Sequence, residues 1–222
     1  MNETIDRFVD FVRVGRATHK SHQVATVNVD FLVQAISDPE LQVILQEVDM
    51  ATIDGMPLVW GARWLGTIVQ DRVAGSDFVP FLAQRAAQEG LSIFLLGATP
   101  EVAAAAAQKL QIQNPRLVIA GVISPPFQPV LEMDPGIVAE IRAVDPDILL
   151  VAFGNPKQEK WIEIYGPQVN VPLMIGVGAT LDFIAGHMAR APRWMQRTGL
   201  EWLFRLLQEP RRLVKRYFKD IF

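Results

Sequence analysis

The sequence predicts an α/β fold: a mostly parallel sheet with helices on both faces, followed by a C-terminal helical appendage. Three observations predict it. Short apolar runs rich in Val, Ile and Leu recur along the chain, helical patterns separate them, and the charge changes sign near Arg190.

The runs from Val24 to Val29, Ser92 to Leu96, Leu117 to Ile123, Ile148 to Phe153 and Leu173 to Val177 are apolar throughout rather than alternating. That is the pattern of strands covered on both faces, as in a parallel sheet. A strand-like segment from Ala51 ends at Asp54-Gly55. Ser76 to Glu89 and Pro100 to Leu110 are amphipathic or Ala-rich and long enough to be crossover helices. Strands alternating with such helices give a Rossmann-like architecture. No internal repeat, low-complexity segment or flexible linker precedes the tail.

Half of the 222 residues are apolar, enough for one core, and the length suits one domain with an appendage: residues 1–189 as the α/β core and 190–222 as the tail. With no cysteine, and early acids in MNETIDRFVDF in place of an apolar run, the expected setting is cytoplasmic. The most apolar run, Ile148 to Gly154, is far shorter than the roughly 20 residues needed to span a bilayer. From Arg190 to Phe222 nine basic residues face three acids, a charge of +6, while the first 189 residues carry −9. A basic tail on an acidic body points to an anionic partner.

In open α/β sheets ligands bind beyond the carboxyl ends of the strands, so the segments after each strand are where chemistry is sought. Gly97-Ala98-Thr99-Pro100-Glu101 has a Gly for a tight turn, a Thr to cap and a Pro at the first helical position. Such an end exposes backbone N–H groups to phosphate, although an ordinary capped helix looks the same. Asp54 lies at the crevice edge, where a general base is required. Arg72 precedes a helix whose apparent cap is Ser76, a pairing suited to a diphosphate. Gly176-Val177-Gly178-Ala179-Thr180-Leu181 begins like a dinucleotide fingerprint, but Leu181 stands where a third small residue belongs, which disfavours an oxidoreductase. Asp145-Pro146-Asp147 resembles a metal-holding D-x-D but precedes its strand, placing it at the amino edge of the sheet. His19, His22 and His187 show no metal-ligand spacing.

Six ordered motifs resemble the WecG/TagA/CpsF glycosyltransferases. They are Thr26-Val27-Asn28, Ala51 to Pro57, Arg72 to Asp77, Phe94 to Ala98, Gly154-Asn155-Pro156-Lys157-Gln158-Glu159-Lys160-Trp161, and Gly176 to Gly186. The resemblance implies an inverting transfer of N-acetylmannosamine, its uronic acid or a related hexose from a UDP-sugar to a polyprenyl-diphosphate-linked sugar, in cell-surface polysaccharide synthesis. It assigns Asp54 as base, with Thr26 and Asn28 in the same pocket, and gives Arg72 and Gln158 site positions. Asp182 is implied at the nucleotide and Phe127 beside the uracil. No metal is expected, so the leaving diphosphate falls to Arg72, the Gly97-Ala98-Thr99 turn and tail arginines such as Arg205, Arg211 and Arg212.

An ordinary aspartate is ionised at pH 7, so Asp54 is expected to need no large shift. Leu200, Leu203, Phe204 and Leu207 fall on one helical face, and a second amphipathic helix is expected after Pro210, with Arg212, Lys215, Arg216 and Lys219 opposite an apolar stripe. The tail is therefore expected to hold the protein peripherally at the inner face of an anionic membrane. No nucleic-acid partner is expected, and a homo-oligomer is left open. The alternative is a non-catalytic nucleotide-binding or regulatory module on the same scaffold, since fold does not establish activity.

Overall fold

The computed structural model describes residues 1–208. The chain begins with α1 (Asn2–Thr18) and enters the sheet at β1 (His22–Val27). α2 (Val29–Ser37) and α3 (Pro39–Glu47) lead to β2 (Met50–Ile53), and α4 (Met56–Trp64) and α5 (Gly75–Glu89) lead across to β3 (Ser92–Gly97). α6 (Pro100–Gln113), β4 (Val118–Ile123), α7 (Gly136–Val144), β5 (Ile148–Ala152), α8 (Lys157–Val169) and β6 (Leu173–Gly176) complete the alternation. Three short helices follow: α9 (Thr180–Ala185), α10 (Arg193–Arg197) and α11 (Glu201–Gln208).

The six strands form one sheet in the order β2-β1-β6-β5-β3-β4, every neighbouring pair parallel. Strand side chains alternate between the two faces. Val24, Ile93, Leu95, Ile148, Leu150, Leu173 and Ile175 pack with α1, α5, α6 and α9. Phe94, Leu96, Leu149, Val151 and Met174 pack with α7 and α8, while Ala25 and Val27 pack with α2 and α3. Both faces are covered over the central strands, which is why these show no polar alternation. The edge strand β4, expected to be covered on both faces, instead leaves Val118 and Val122 exposed because, among the described residues, no further strand or helix packs beyond it.

The helices start where local chemistry allows. Asn28 caps α2 by accepting from the Phe31 N–H at 3.0 Å, Asp38 caps α3 and Thr99 caps α6. The cap expected at Ser76 is displaced: α5 begins at Gly75 with Ala74 as its N-cap. A β-carbon on Gly75 would collide with the Thr180 hydroxyl, so packing against α9 sets this entry.

At the amino edge, Arg16 of α1 binds both acids of the D-P-D triplet, reaching Asp145 at 2.7 Å and Asp147 at 2.8 Å. Asp147 also accepts from the Ser92 backbone and hydroxyl. The triplet ties α1 to the sheet on the side away from the crevice.

Of the places where neighbouring strands part at the carboxyl edge, two frame the candidate residues. β1 exits to α2 on one face while its neighbour β6 exits to α9 on the other; β5 exits to α8 while its neighbour β3 exits to α6. Neighbouring strands that part to opposite faces leave a crevice between them.

Candidate functional site

The first crevice is framed by the ends of β2, β1 and β6. Thr26 is buried and donates its hydroxyl proton to the Gly176 carbonyl at 2.8 Å, fixing β1 to β6. The Asp54 backbone N–H donates to the Val27 carbonyl at 2.7 Å, and Gly55, at φ 131°, turns the chain into α4. Asp54 is thereby held at the mouth of the crevice. Desolvation pushes its carboxyl up to about 6, opposed by the positive charges of Arg205 and Arg72 and assisted by Glu201 and Asp77. The expectation of an ordinary aspartate is corrected: protein packs over this carboxyl. It remains mostly ionised at pH 7.

Around it lies a network closed by the C-terminal helices. Arg72 donates to Glu201 of α11 at 2.7 Å, to Asp77 of α5 at 3.1 Å and to Gln196 of α10 at 2.5 Å. Arg190 binds the same Asp77 carboxylate. Arg205 lies over the Phe183 ring at 5.1 Å, and the Nε–H groups of Arg190 and Arg205 are buried without a partner. With Asp54 ionised, three arginines balance three carboxylates. An incoming diphosphate finds oriented guanidinium groups at a site near neutrality.

The second crevice lies between β3 and β5. Gly97 and Ala98 both have positive φ, and Thr99 caps α6. The Glu101 carboxylate bonds its own backbone N–H and the Thr99 hydroxyl, which hold it below the usual range. This helix end therefore already carries an acid. Gln158, buried on α8, accepts at its amide oxygen from Gly154 N–H at 3.1 Å and Gly178 N–H at 2.9 Å. Gln158 thus braces the loops after β5 and β6, and its amide nitrogen donates to Glu159 at 2.7 Å. Lys157 sits over the rings of Phe127 at 4.4 Å and Phe153 at 5.1 Å. Phe127 is 93% exposed, an aromatic face available to a planar ligand.

Thr26, Asn28, Asp54, Arg72 and Arg205 belong to the first crevice; Gly97, Ala98, Thr99 and Phe127 belong to the second, and Gln158 spans the loops between. Asp182 lies in the first turn of α9, next in sequence to Phe183, whose ring faces Arg205. Arg211 and Arg212, like the second tail helix, lie outside the described residues. Two residues escape the sequence reading of the site. Arg190 is counted there only as tail charge. Asn155, the third residue after β5, has both ends of its side-chain amide buried without a partner, as expected of a group awaiting a ligand. Its place in the loop that follows an apolar strand at the carboxyl edge was the available signal. Among the described residues no cluster of three or more His, Asp or Glu could hold a metal, and no helix is long and apolar enough to cross a membrane.

Glu159, fully buried beside Gly176, is raised to about 8 by desolvation, and its second oxygen is unpartnered. It is neutral at pH 7. Its folded-state value exceeds that of the unfolded chain, so stability falls as pH rises from the ordinary glutamate range to about 8. Glu159→Gln is expected to remove that slope. Urea midpoints measured from pH 5 to 9 should diverge with rising pH, the variant being the more stable at the alkaline end. Midpoints that stay together would show that the carboxyl is not held neutral.

A carboxylate base beside fixed arginines, at the carboxyl edge of a parallel sheet, suits transfer of a group away from an anionic leaving group. One sequence comparison agrees with this chemistry. The model for the family described as "Glycosyl transferase WecG/TagA/CpsF family" matches residues 1–222, the whole chain.

Proposed function

We propose that this chain, which belongs to the WecG/TagA/CpsF glycosyl transferase family, moves a hexose from a UDP-sugar to a polyprenyl-diphosphate-linked sugar with inversion at the anomeric carbon. N-acetylmannosamine, its uronic acid or a related sugar is the proposed donor hexose, and cell-surface polysaccharide the destination.

The observation that carries this reading is the Asp54 carboxyl raised to about 6 within reach of the charges of Arg72 and Arg205. A base is most effective with a value near the working pH. Asp54 takes the proton of the acceptor hydroxyl as that oxygen attacks the anomeric carbon. The bond from that carbon to the diphosphate oxygen breaks, and the electron pair leaves with UDP. Arg72, Arg190 and Arg205 meet the charge that builds on the diphosphate. Thr26 fixes the crevice floor, Asn28 and Asp182 flank it, and Gln158 keeps the two loops in register. Phe127 and Lys157 offer a stacking surface and a cation for the uracil end, with Asn155 as a polar contact.

Release of UDP from a panel of UDP-hexoses, with a short-chain polyprenyl-diphosphate sugar as acceptor, tests the reading. A regulatory module would bind nucleotide and release none.

The D-P-D acids are held by Arg16 at the amino edge, and the cations facing Asp54 are arginines. Activity is therefore expected to survive excess EDTA. Loss in chelator with recovery on adding magnesium or manganese would transfer the leaving-group role to a metal. The tail beyond residue 208 is proposed to add a peripheral contact with an anionic membrane at its cytoplasmic face.

A further inference from the structure

Four of the five tryptophans stand at the surface: Trp60 at 48%, Trp64 at 88%, Trp194 at 61% and Trp202 at 48% exposed. Only Trp161 lies in the core. The four belong to α4, α10 and α11, and α4 meets the turn that joins α10 to α11, since a β-carbon on Gly199 would come within 3.0 Å of the Trp60 ring. The turn after α4 extends the surface with Leu65 at 78% and Ile68 at 95% exposed. It is a built turn: the Arg63 guanidinium donates to the carbonyls of Val69 at 3.0 Å and Gln70 at 2.6 Å, folding the backbone back while Trp64 and Ile68 face solvent.

Charge identifies what covers this face. In a chain with more acids than bases, residues 56–70 and 192–200 contain Arg63, Arg193 and Arg197 and no acid. All three arginines are exposed. A second copy of the chain would set the same arginines against one another across a two-fold interface. An anionic bilayer pairs with them, and tryptophan favours the boundary between headgroups and acyl chains.

We propose that the lip formed by α4 with its following turn and by α10 is a docking surface for an anionic lipid bilayer; α10 belongs to the basic 190–222 tail, and α4 with its turn extends the contact to a surface outside that tail. α4 begins two residues after Asp54, so docking through the lip turns the first crevice toward the membrane. This rests on the proposed function only in that the bilayer is where the lipid-linked acceptor resides.

The test uses the full chain and sedimentation with vesicles of phosphatidylcholine, alone or with a third phosphatidylglycerol. Wild type should bind the anionic vesicles. Trp64→Ser combined with Ile68→Ser should weaken that binding by about tenfold or more, because two large exposed apolar surfaces are lost. Ile112→Ser, at a residue 69% exposed near the end of α6, should bind as wild type. The double variant should melt like wild type and turn over a water-soluble acceptor at the wild-type rate.

Unchanged vesicle binding in the double variant would overturn the proposal. So would a concentration-dependent dimer, seen by light scattering, that the double variant loses. Anionic-vesicle binding that the double variant loses, in a protein that transfers no sugar to any acceptor, would support the lip and count against the proposed activity alone.

Discussion

Asp54→Asn is expected to lower turnover by roughly 10²- to 10⁴-fold, the range for a lost general base, while UDP affinity and fold stay nearly unchanged. Asparagine keeps the shape and the Val27 backbone bond but cannot take a proton. The wild-type kcat/KM should fall about tenfold for each pH unit below about 6, where Asp54 becomes protonated, and the residual rate of the variant should lack that limb. Stability should move the other way. A carboxyl whose folded value lies above its unfolded value destabilises the fold as pH rises through that interval, so the neutral amide should melt at the same or a higher temperature at pH 7. UDP-release rates across pH, UDP titration calorimetry and thermal melts check the three parts. Near-wild-type turnover in the asparagine variant would remove Asp54 from the base role.

The sheet was legible because burial on both faces leaves a continuous apolar run in the central strands, and each predicted run became a strand displaced by at most two residues at either end, although the edge strand β4 is partly exposed. The crevice followed from the parallel order, and Asp54 could be placed because it directly follows a strand, whereas Asn28 was placed by the family resemblance and proved to follow β1 directly. Ser76 misled because side-chain preference competes with packing at a helix start, and the Thr180 hydroxyl occupies the space that sets the entry at Gly75. The reading also passes over α1, although Ile5, Phe8, Val9 and Val12 repeat at helical spacing and are all buried. Arg190 was hidden for a different reason. Its acceptor, Asp77, lies 113 residues away, and no local pattern encodes such a pair. The Asp54 shift was equally out of reach, since it depends on desolvation and on charges brought by α11.

Arg205→Ala is expected to lower kcat/KM by about 10²-fold or more, with a signature that separates a site role from a packing role. Arg205 is the leading electrostatic influence holding Asp54 down against desolvation. Without it the carboxyl rises above about 6, so the acidic limb of the rate profile should move to higher pH and a smaller fraction of the base is ionised at pH 7. The second loss falls on the leaving group. With Asp54, Asp77 and Glu201 ionised, removing one of three arginines leaves the site net negative before the diphosphate arrives, raising both the binding and transition-state energies. KM for the UDP-sugar should therefore rise while kcat falls. Arg205→Lys, which keeps the charge and gives up the planar face over Phe183, should restore the acidic limb but only part of the rate. Were Arg205 merely a prop for α11, the alanine variant would melt earlier and the lysine variant would fare little better. The acidic limb would then stay near 6.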